Sequence, residues 1–194
     1  MTTWAEREVR RIDKAGTLIR PGVEGQGGVW ADLGCGDGIF TAALVTLLKP
    51  GSHIYAVDKS LRALESLARN FAESYPAAAP HPVHADFTRP LSLPPLDGLL
   101  MANSLHFVRH KQPLLARLVT LLKPGGRLIL VEYNANRGNF AVPHPLDETD
   151  FLALAAEVSL RQPRILASIP STFLGEMYAG IGLAPPDASV TSGM

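Results

Sequence analysis

The stretch Val29-Trp30-Ala31-Asp32-Leu33-Gly34-Cys35-Gly36-Asp37-Gly38-Ile39-Phe40 organises the sequence. It begins as an apolar run with an acidic end, passes through three alternate glycines, and leads into an Ala/Leu-rich segment. This order predicts a strand, a tight turn and a helix. Alternate glycines let a backbone turn tightly and approach a ligand closely, because they lack a side chain and tolerate positive φ. The free N–H groups of the following helix point into the same space.

The spacing of these glycines differs from the dinucleotide fingerprint G-x-G-x-x-G. The glycines stand at positions 34, 36 and 38, so the third comes one place early. The Asp32 carboxylate just before them would repel a pyrophosphate, but it suits a cationic ligand. A nicotinamide-dependent oxidoreductase is therefore a disfavoured interpretation of this loop.

Length and composition limit what the chain can be. Its 194 residues suit one domain, and 46% hydrophobic residues are enough for a solid core. A net charge of zero gives no argument for electrostatic capture of nucleic acid. A single cysteine, Cys35, rules out an internal disulfide and an all-cysteine metal site. With no run of 18 apolar residues and a charged N-terminus, we expect a cytoplasmic protein without a membrane partner.

Hydrophobic periodicity and turn signals divide the chain into alternating helices and strands. An amphipathic helix is predicted over 3–19, with Trp4, Val9 and Ile12 buried, and Pro21-Gly22 is predicted to break the chain. The other predicted helices are 39–48, 61–72, 113–122 and 147–159. The predicted strands are 29–33, 54–57, 82–85, 96–102, 127–132, 164–169 and 176–181, and Lys123-Pro124-Gly125-Gly126 is predicted as a turn.

Strands that alternate with helices imply a parallel sheet covered on both faces. The fold class predicted is α/β, a Rossmann-like doubly wound sheet of seven strands that ends in an antiparallel hairpin. Residues 1–183 form one domain in this interpretation, with an N-terminal helix over 1–20, a core over 25–182, and a loose tail over 184–194.

Polar residues stand at or just past the ends of four predicted strands. They are Asp32, Asp58, Asp86 and Asn103. Ligands of such sheets bind beyond the carboxyl ends of the strands, at the switch in strand order. We therefore expect these side chains to line a binding site at one edge of the sheet.

The order of these features resembles the fold of class I S-adenosylmethionine-dependent methyltransferases over about residues 25 to 182. The glycine stretch is similar to that family's hydrophobic-hydrophobic-Asp-hydrophobic-Gly-x-Gly-x-Gly motif. Met101-Ala102-Asn103-Ser104-Leu105-His106-Phe107 resembles the fourth-strand motif of the small-molecule and quinone-type branch. Leu122-Lys123-Pro124-Gly125-Gly126-Arg127-Leu128 is similar to the family's turn into the fifth strand. The resemblance implies S-adenosyl-L-methionine as the cofactor and methyl transfer as the activity.

The resemblance also implies residue roles. The glycine loop would contact the methionine part of the cofactor, Asp58 would accept from both ribose hydroxyls, and Asp86 with Phe87 would hold the adenine. The implied cofactor-binding set is Asp32, Gly34, Cys35, Gly36, Gly38, Asp58, Lys59, Asp86, Phe87 and Asn103. Other interpretations stay open, since an isolated Asp58 is an ordinary strand-end residue and Cys35 is an ordinary small packing residue. No metal site is implied.

A general base is needed only where the acceptor must lose a proton. His106 is the leading candidate, because it lies just past the fourth strand and imidazole titrates near neutral pH. Tyr133, Glu132 and His144 are further candidates near the end of the fifth strand. The alternative is that His106 only shapes the pocket or caps a turn.

The acceptor expected is a small molecule. No Asn/Asp-Pro-Pro-aromatic run follows the fourth strand, which argues against methylation of base amino groups, and the lone cysteine disfavours carbon methylation through a cysteine adduct. A transfer to oxygen, nitrogen, sulfur or carbon of a small molecule stays open. So does a non-catalytic module that binds S-adenosylmethionine and acts through a partner protein. The sequence leaves the oligomeric state open.

Overall fold

A computed structural model describes residues 2–186 as a seven-stranded sheet with helices on both faces. The spatial order of the strands is β3-β2-β1-β4-β5-β7-β6. The strands are β1 Val29–Leu33, β2 His53–Asp58, β3 His81–His84, β4 Leu96–Ala102, β5 Leu122–Tyr133, β6 Arg161–Ser171 and β7 Gly175–Leu183. The helices are α1 Trp4–Val23, α2 Ile39–Leu47, α3 Leu61–Ser74, α4 Lys111–Val119 and α5 Glu148–Glu157.

The sheet is parallel from β3 to β5 and antiparallel on both sides of β7. This confirms the predicted α/β architecture with a closing antiparallel hairpin. Chain order reverses between β1 and β4, which are neighbours in the sheet. The carboxyl ends of β1 to β5 therefore share one edge, here called the carboxyl edge, and it contains the switch in strand order.

Each face of the sheet carries its own hydrophobic core. Helices α1, α2 and α3 cover one face around Trp30 and Phe71, while α4 and α5 cover the other around Phe151 and Tyr178. Trp30 is fully buried and lies directly over Gly98 of the neighbouring strand, where an added Cβ would lie 2.3 Å from the indole. Continuous apolar strands are expected of a sheet that is covered on both faces.

Helix α1 is longer than the sequence predicts. It begins with a capping box in which Thr3 accepts from the Glu6 N–H, and it continues through Pro21 and Gly22 to Val23. The predicted break at Pro21-Gly22 is therefore wrong. Gly22 is buried against β5, β6 and β7, with an added Cβ placed 2.9 Å from Ile129, so packing outweighs the one hydrogen bond that Pro21 removes. Trp4 and Ile12 are buried as predicted, whereas Val9 is 48% exposed.

The boundaries of the middle elements shift by a few residues. Ser60 caps α3 by accepting from the Ala63 N–H, and Leu64, Leu67 and Phe71 form the buried stripe of the helix. Leu61, the first residue of α3, is 55% exposed. Helix α4 begins and ends earlier than predicted, so Leu122 belongs to β5.

The segment Lys123-Pro124-Gly125-Gly126 is a bulge within β5 rather than a turn before it. Leu96 pairs with Leu122 and Gly98 pairs with Arg127, so four residues of β5 face a single residue of β4. Gly125 in this bulge has a φ of 74° and donates its N–H to the Ala184 carbonyl. The positive φ explains why glycine stands there.

The hairpin of β6 and β7 is longer than predicted, and the chain stays paired beyond it. Ala184 is buried and donates its N–H to the Gly126 carbonyl, so the predicted loose tail does not begin at this residue. The rest of the predicted tail, from position 187, lies outside the described residues. No helix in the part of the chain that is described reaches the length and apolarity that crossing a bilayer requires.

Candidate active site

The carboxyl edge holds two clefts that meet at Gly34 and Asn103. The first, the α1 cleft, has a volume of about 340 Å³ and runs between the glycine loop, α1 and the hairpin. The second, the strand-end cleft, has a volume of about 330 Å³ and runs over the ends of β2, β3 and β4. The α1 cleft is lined by Arg11, Lys14, Ala15, Leu18, Asp32, Gly34, Cys35, Gly36, Asp37, Ile39, Phe40, Ala102, Asn103, Tyr133, Ile169 and Met177. The strand-end cleft is lined by Gly34, Asp58, Lys59, Asp86, Phe87, Thr88, Asn103, Ser104, Phe107 and Val108.

The glycine loop continues the ladder of β1 before it turns into α2. Gly34 and Cys35 both donate their N–H groups to the Val57 carbonyl, at 2.8 and 3.1 Å. All three glycines have positive φ, from 56° at Gly36 to 94° at Gly38. An added Cβ on Gly34 would lie 2.7 Å from the Ser104 Cβ, so this glycine allows the close approach of β1 and β4. Gly36 has no such neighbour within 4 Å, which leaves space above its backbone.

Asp32 is the buried carboxyl beneath this loop. It is 1% exposed and accepts a hydrogen bond from the Thr41 hydroxyl of α2 at 2.7 Å. Burial is the main reason that the pKa of Asp32 is raised from 3.8 to about 7. The Thr41 hydrogen bond lowers this pKa, and the nearby Asp58 charge adds a smaller rise. A cation that entered the α1 cleft would favour the ionised form.

Cys35 is the buried neighbour of Asp32 in the loop. Burial, followed by the charges of Asp32 and Asp58, raises the pKa of the thiol far above its usual range. The thiol therefore stays neutral and unreactive. This supports the interpretation of Cys35 as a packing residue whose backbone faces the cleft.

Two further carboxylates line the strand-end cleft. Asp58 accepts from the backbone N–H groups of Gly36 and Ser60, at 3.0 and 2.8 Å, so it is fixed between the glycine loop and the α3 cap. One Asp86 oxygen accepts from both the N–H and the hydroxyl of Thr88, and these hydrogen bonds hold the pKa of Asp86 below its usual value. The other Asp86 oxygen accepts no hydrogen bond within residues 2–186 and is available to a ligand.

Asn103 sits where the two clefts meet, and its backbone is in the left-handed region with a φ of 51°. Its side-chain oxygen is buried, and it is the one buried side-chain polar atom of the described residues without a hydrogen-bond partner. A buried acceptor of this kind costs free energy unless a donor reaches it. Strain and an unpaired acceptor at one residue are typical of a ligand-binding position.

His106 is held by the buried side chain of Glu132. The Glu132 side chain accepts from the His106 N–H at 3.0 Å and from the ring Nδ1 at 2.7 Å. Both side chains are almost fully buried, at 4% and 0% exposure. Because a carboxylate accepts hydrogen bonds, this contact places the ring proton on Nδ1 and leaves the lone pair of a neutral ring on Nε2.

Aromatic rings surround His106. Its ring centroid lies 4.3 Å from that of Phe107 and 6.3 Å from that of Tyr133. Burial raises the pKa of Tyr133, and the neighbouring Glu132 charge adds to the rise. Tyr133 therefore carries its proton at neutral pH and can donate a hydrogen bond.

Most of the residues implied by the resemblance come together at the two clefts. Gly38 is the exception in that set, and the base candidate His106 does not line a cleft either. Gly38 begins α2, and an added Cβ there would lie 2.9 Å from Phe71, so its role is packing. Helix α1 and the hairpin also line the α1 cleft, and none of their residues was among the predicted site residues.

The chemistry of the residues that line the two clefts fits S-adenosylmethionine. The strand-end cleft offers carboxylates to hydroxyl and amino donors, and the α1 cleft offers a carboxyl and open backbone beside Gly36 to a charged end. The unpaired Asn103 oxygen lies between them. No group of three or more histidine, cysteine or acidic residues is arranged to hold a metal ion within residues 2–186.

Comparisons with known proteins agree with this geometry. A family model described as a methyltransferase domain matches residues 31–128, about half of the chain. The O-methyltransferase cnsE of Penicillium expansum is 27% identical over 131 residues, which are 66% of this chain and 43% of that protein. This chain thus spans less than half of the length of that relative.

Solved structures show the same fold. The mitomycin 7-O-methyltransferase MmcR superposes with a TM-score of 0.65 at 17% identity, covering 92% of this chain and 55% of that one. A SAM-dependent methyltransferase from Aquifex aeolicus gives a TM-score of 0.64 at 14% identity, covering 94% and 90%. The arsenic(III) S-adenosylmethionine methyltransferase from Chlamydomonas reinhardtii gives 0.68 at 16% identity, covering 92% and 74%. The chain therefore belongs to the methyltransferase domain family and has the class I methyltransferase fold, which implies S-adenosylmethionine as the cofactor.

Proposed function

We propose that this chain transfers a methyl group to a small-molecule acceptor at the carboxyl edge, with His106 as general base. When bound, S-adenosylmethionine supplies a methyl group that is already activated by its sulfonium charge. The protein then has to orient the acceptor in line and keep water out, and to remove a proton where the acceptor carries one. The observation that carries the proposal is the junction of two polar clefts beside a buried His106–Glu132 pair.

The residues of the two clefts are assigned to cofactor binding in this proposal. Asp58 accepts from the ribose hydroxyls, since both of its oxygens keep a lone pair after the backbone contacts. The unpaired oxygen of Asp86 accepts from the adenine amino group. Asp32 in its ionised form attracts the cationic end of the methionine part, and Gly36 leaves room for it.

His106 is assigned as base because Glu132 orients its ring. The Nδ1–H donated to Glu132 leaves Nε2 to take the acceptor proton, and the carboxylate stabilises the imidazolium that forms. In this structure the ring is covered, so an acceptor has to displace Phe107, which is 62% exposed and packs directly on it. Tyr133, which lines the α1 cleft, is assigned as a hydrogen-bond donor to the acceptor.

An oxygen acceptor is the form of the reaction we favour. A base matters most where a hydroxyl must lose its proton, and thioether or arsenic acceptors have no proton to lose. The names of cnsE and MmcR, both O-methyltransferases, support this choice. The non-catalytic alternative does not explain a buried pair that fixes the tautomer of a histidine next to the clefts.

The experiment combines cofactor binding with turnover. Calorimetry with S-adenosylmethionine tests the clefts, and release of S-adenosylhomocysteine is measured against a panel of phenols, amines and thiols. His106→Gln and Glu132→Gln are expected to lower turnover by on the order of 10²- to 10⁴-fold while cofactor affinity is kept. His110→Gln is the matched control, since that histidine is exposed and lines neither cleft. Unchanged turnover in His106→Gln would contradict the role of His106 as general base. Binding of S-adenosylmethionine without any product would favour the non-catalytic module.

A further inference from the structure

The connection between β3 and β4 carries the residues that the proposed function assigns to the adenine ring. It runs over positions 85–95 and contains neither a helix nor a strand. Asp86, Phe87 and Thr88, near its start, line the strand-end cleft. Because no sheet ladder holds these three residues, other contacts fix them relative to the sheet.

Residues 86–89, here called the Asp86 turn, close on themselves. One Asp86 oxygen accepts from the Thr88 N–H at 2.9 Å and from the Thr88 hydroxyl at 2.7 Å. The Asp86 carbonyl accepts from the Arg89 N–H at 2.9 Å. These hydrogen bonds set the shape of the turn, but none of them attaches it to the rest of the protein.

Arg117 of α4 supplies that attachment. Its Nη2 donates to the Phe87 carbonyl at 3.0 Å, across 30 positions of sequence. Within residues 2–186 this is the one hydrogen bond that joins the Asp86 turn to another element. Arg117 is half-buried, and α4 packs on the sheet through a stripe of buried leucines. The guanidinium is therefore presented from a rigid support.

Phe87 is held from two sides. Its ring carbon Cε1 lies 3.5 Å from the position that a Cβ on Gly34 would take, so the ring borders the glycine loop. Its carbonyl is bonded to the charged guanidinium, which is a stronger donor than a neutral group. The Phe87 N–H and the second Asp86 oxygen make no hydrogen bond within residues 2–186. A free donor and a free carboxylate oxygen on adjacent residues match the ring nitrogen and the amino group of adenine.

We propose that Arg117 is a positioning residue for base recognition, which holds the Asp86 turn where Asp86 and the Phe87 N–H meet the edge of the adenine. The inference rests on the proposed function, in which Asp86 accepts from the adenine amino group. Without the guanidinium the turn keeps its internal hydrogen bonds and loses its attachment to α4. The loss therefore falls on the choice between bases.

Calorimetry with S-adenosylhomocysteine and S-inosylhomocysteine tests this role. The inosine ligand carries a carbonyl in place of the amino group and an N–H in place of the ring-nitrogen acceptor, so both contacts are lost. The wild-type ratio of the two dissociation constants is expected to favour S-adenosylhomocysteine by about tenfold or more. Arg117→Gln is expected to reduce this ratio by about fivefold or more. Arg117→Lys, which can still donate to a carbonyl, should keep a larger ratio than Arg117→Gln.

Two further variants separate positioning from a general loss of structure. Arg89→Gln removes a cation from the same turn, and it should leave the ratio almost unchanged because the exposed Arg89 side chain makes no hydrogen bond within residues 2–186. The Arg117→Gln/Asp86→Ala double variant should discriminate no worse than Asp86→Ala alone, since Arg117 acts through the Asp86 turn. Urea denaturation establishes that each variant is folded.

The outcomes distinguish this inference from the proposed function. A wild-type ratio that Arg117→Gln keeps would overturn the role of Arg117 and leave the assignment of Asp86 standing. An equal loss of affinity for both ligands in Arg117→Gln would also overturn it, because a merely structural role has that effect. Equal binding of the two ligands by the wild type would refute the assignment of Asp86 to the adenine, and the role of Arg117 with it.

Discussion

Raising the pH from 5 to 8 is expected to destabilise the folded chain through the buried carboxyl of Asp32. This group has a pKa of about 7 in the folded chain, compared with 3.8 when it is exposed. Between these values it is protonated in the folded state and ionised in the unfolded state. The folded state then binds more protons, so the free energy of unfolding falls as the pH rises.

The magnitude follows from the two pKa values. One unit corresponds to about 1.4 kcal/mol, and most of the interval between the two values lies above pH 5. The free energy of unfolding should therefore fall by about 3 kcal/mol between pH 5 and pH 8 on account of Asp32 alone. Above the folded-state pKa both states are ionised and the loss is complete.

Asp32→Asn isolates this contribution, because the amide does not titrate and its oxygen can still accept from Thr41. Urea denaturation of both proteins at pH 5, 6, 7 and 8 gives the free energy of unfolding at each pH. The free energy of unfolding of the variant minus that of the wild type should rise by about 3 kcal/mol from pH 5 to pH 8. The contributions of the other titrating groups cancel in this difference. Thr41→Val removes the hydrogen bond that lowers the pKa, so it should extend the wild-type loss to higher pH. Parallel curves for wild type and Asp32→Asn would refute the reasoning.

Three further substitutions test the cofactor site and the core. Asp58→Ala should weaken S-adenosylmethionine binding at least tenfold, about 1.4 kcal/mol, since in the proposed binding mode two ribose hydroxyls lose their acceptor; equal affinity in calorimetry would contradict that role. Gly98→Ala should lower the free energy of unfolding by about 1–3 kcal/mol, because its Cβ would meet the Trp30 ring. Gly16→Ala, at an uncrowded position inside α1, should instead raise it by about 0.5–1 kcal/mol. Thermal or urea denaturation measures both glycine variants, and a similar effect at the two positions would refute the packing argument.

Much of the fold could be predicted because its signals are local. Strand β1, the Ser60 cap and the closing hairpin each follow from residues next to one another in sequence. The errors arise where distant contacts decide. Pro21-Gly22 stays helical because Gly22 packs on the sheet, and the glycines at 125 and 126 form a bulge because β4 continues beside them.

The candidate site was predictable to the extent that topology places it. Polar residues at strand ends must share an edge once the strands are parallel, which brings Asp58, Asp86 and Asn103 together. The α1 side of the site depends on how a helix packs across the sheet, and no periodicity in the sequence encodes that contact. The pairing of His106 with Glu132 could not be predicted for the same reason. Glu132 lies 26 positions away, and nothing in the sequence links the two residues.

The three glycines of the loop are not equivalent, and this affects how the family's signature should be probed by mutation. Substitution at Gly34 pushes β1 from β4, and substitution at Gly38 pushes α2 from α3, so either change disturbs the protein before any cofactor arrives. Gly36 faces unoccupied space and makes no such contact. Lost activity after mutation of the outer two thus includes a packing defect, whereas at Gly36 the positive φ of 56° is the only strain added to any effect on the ligand.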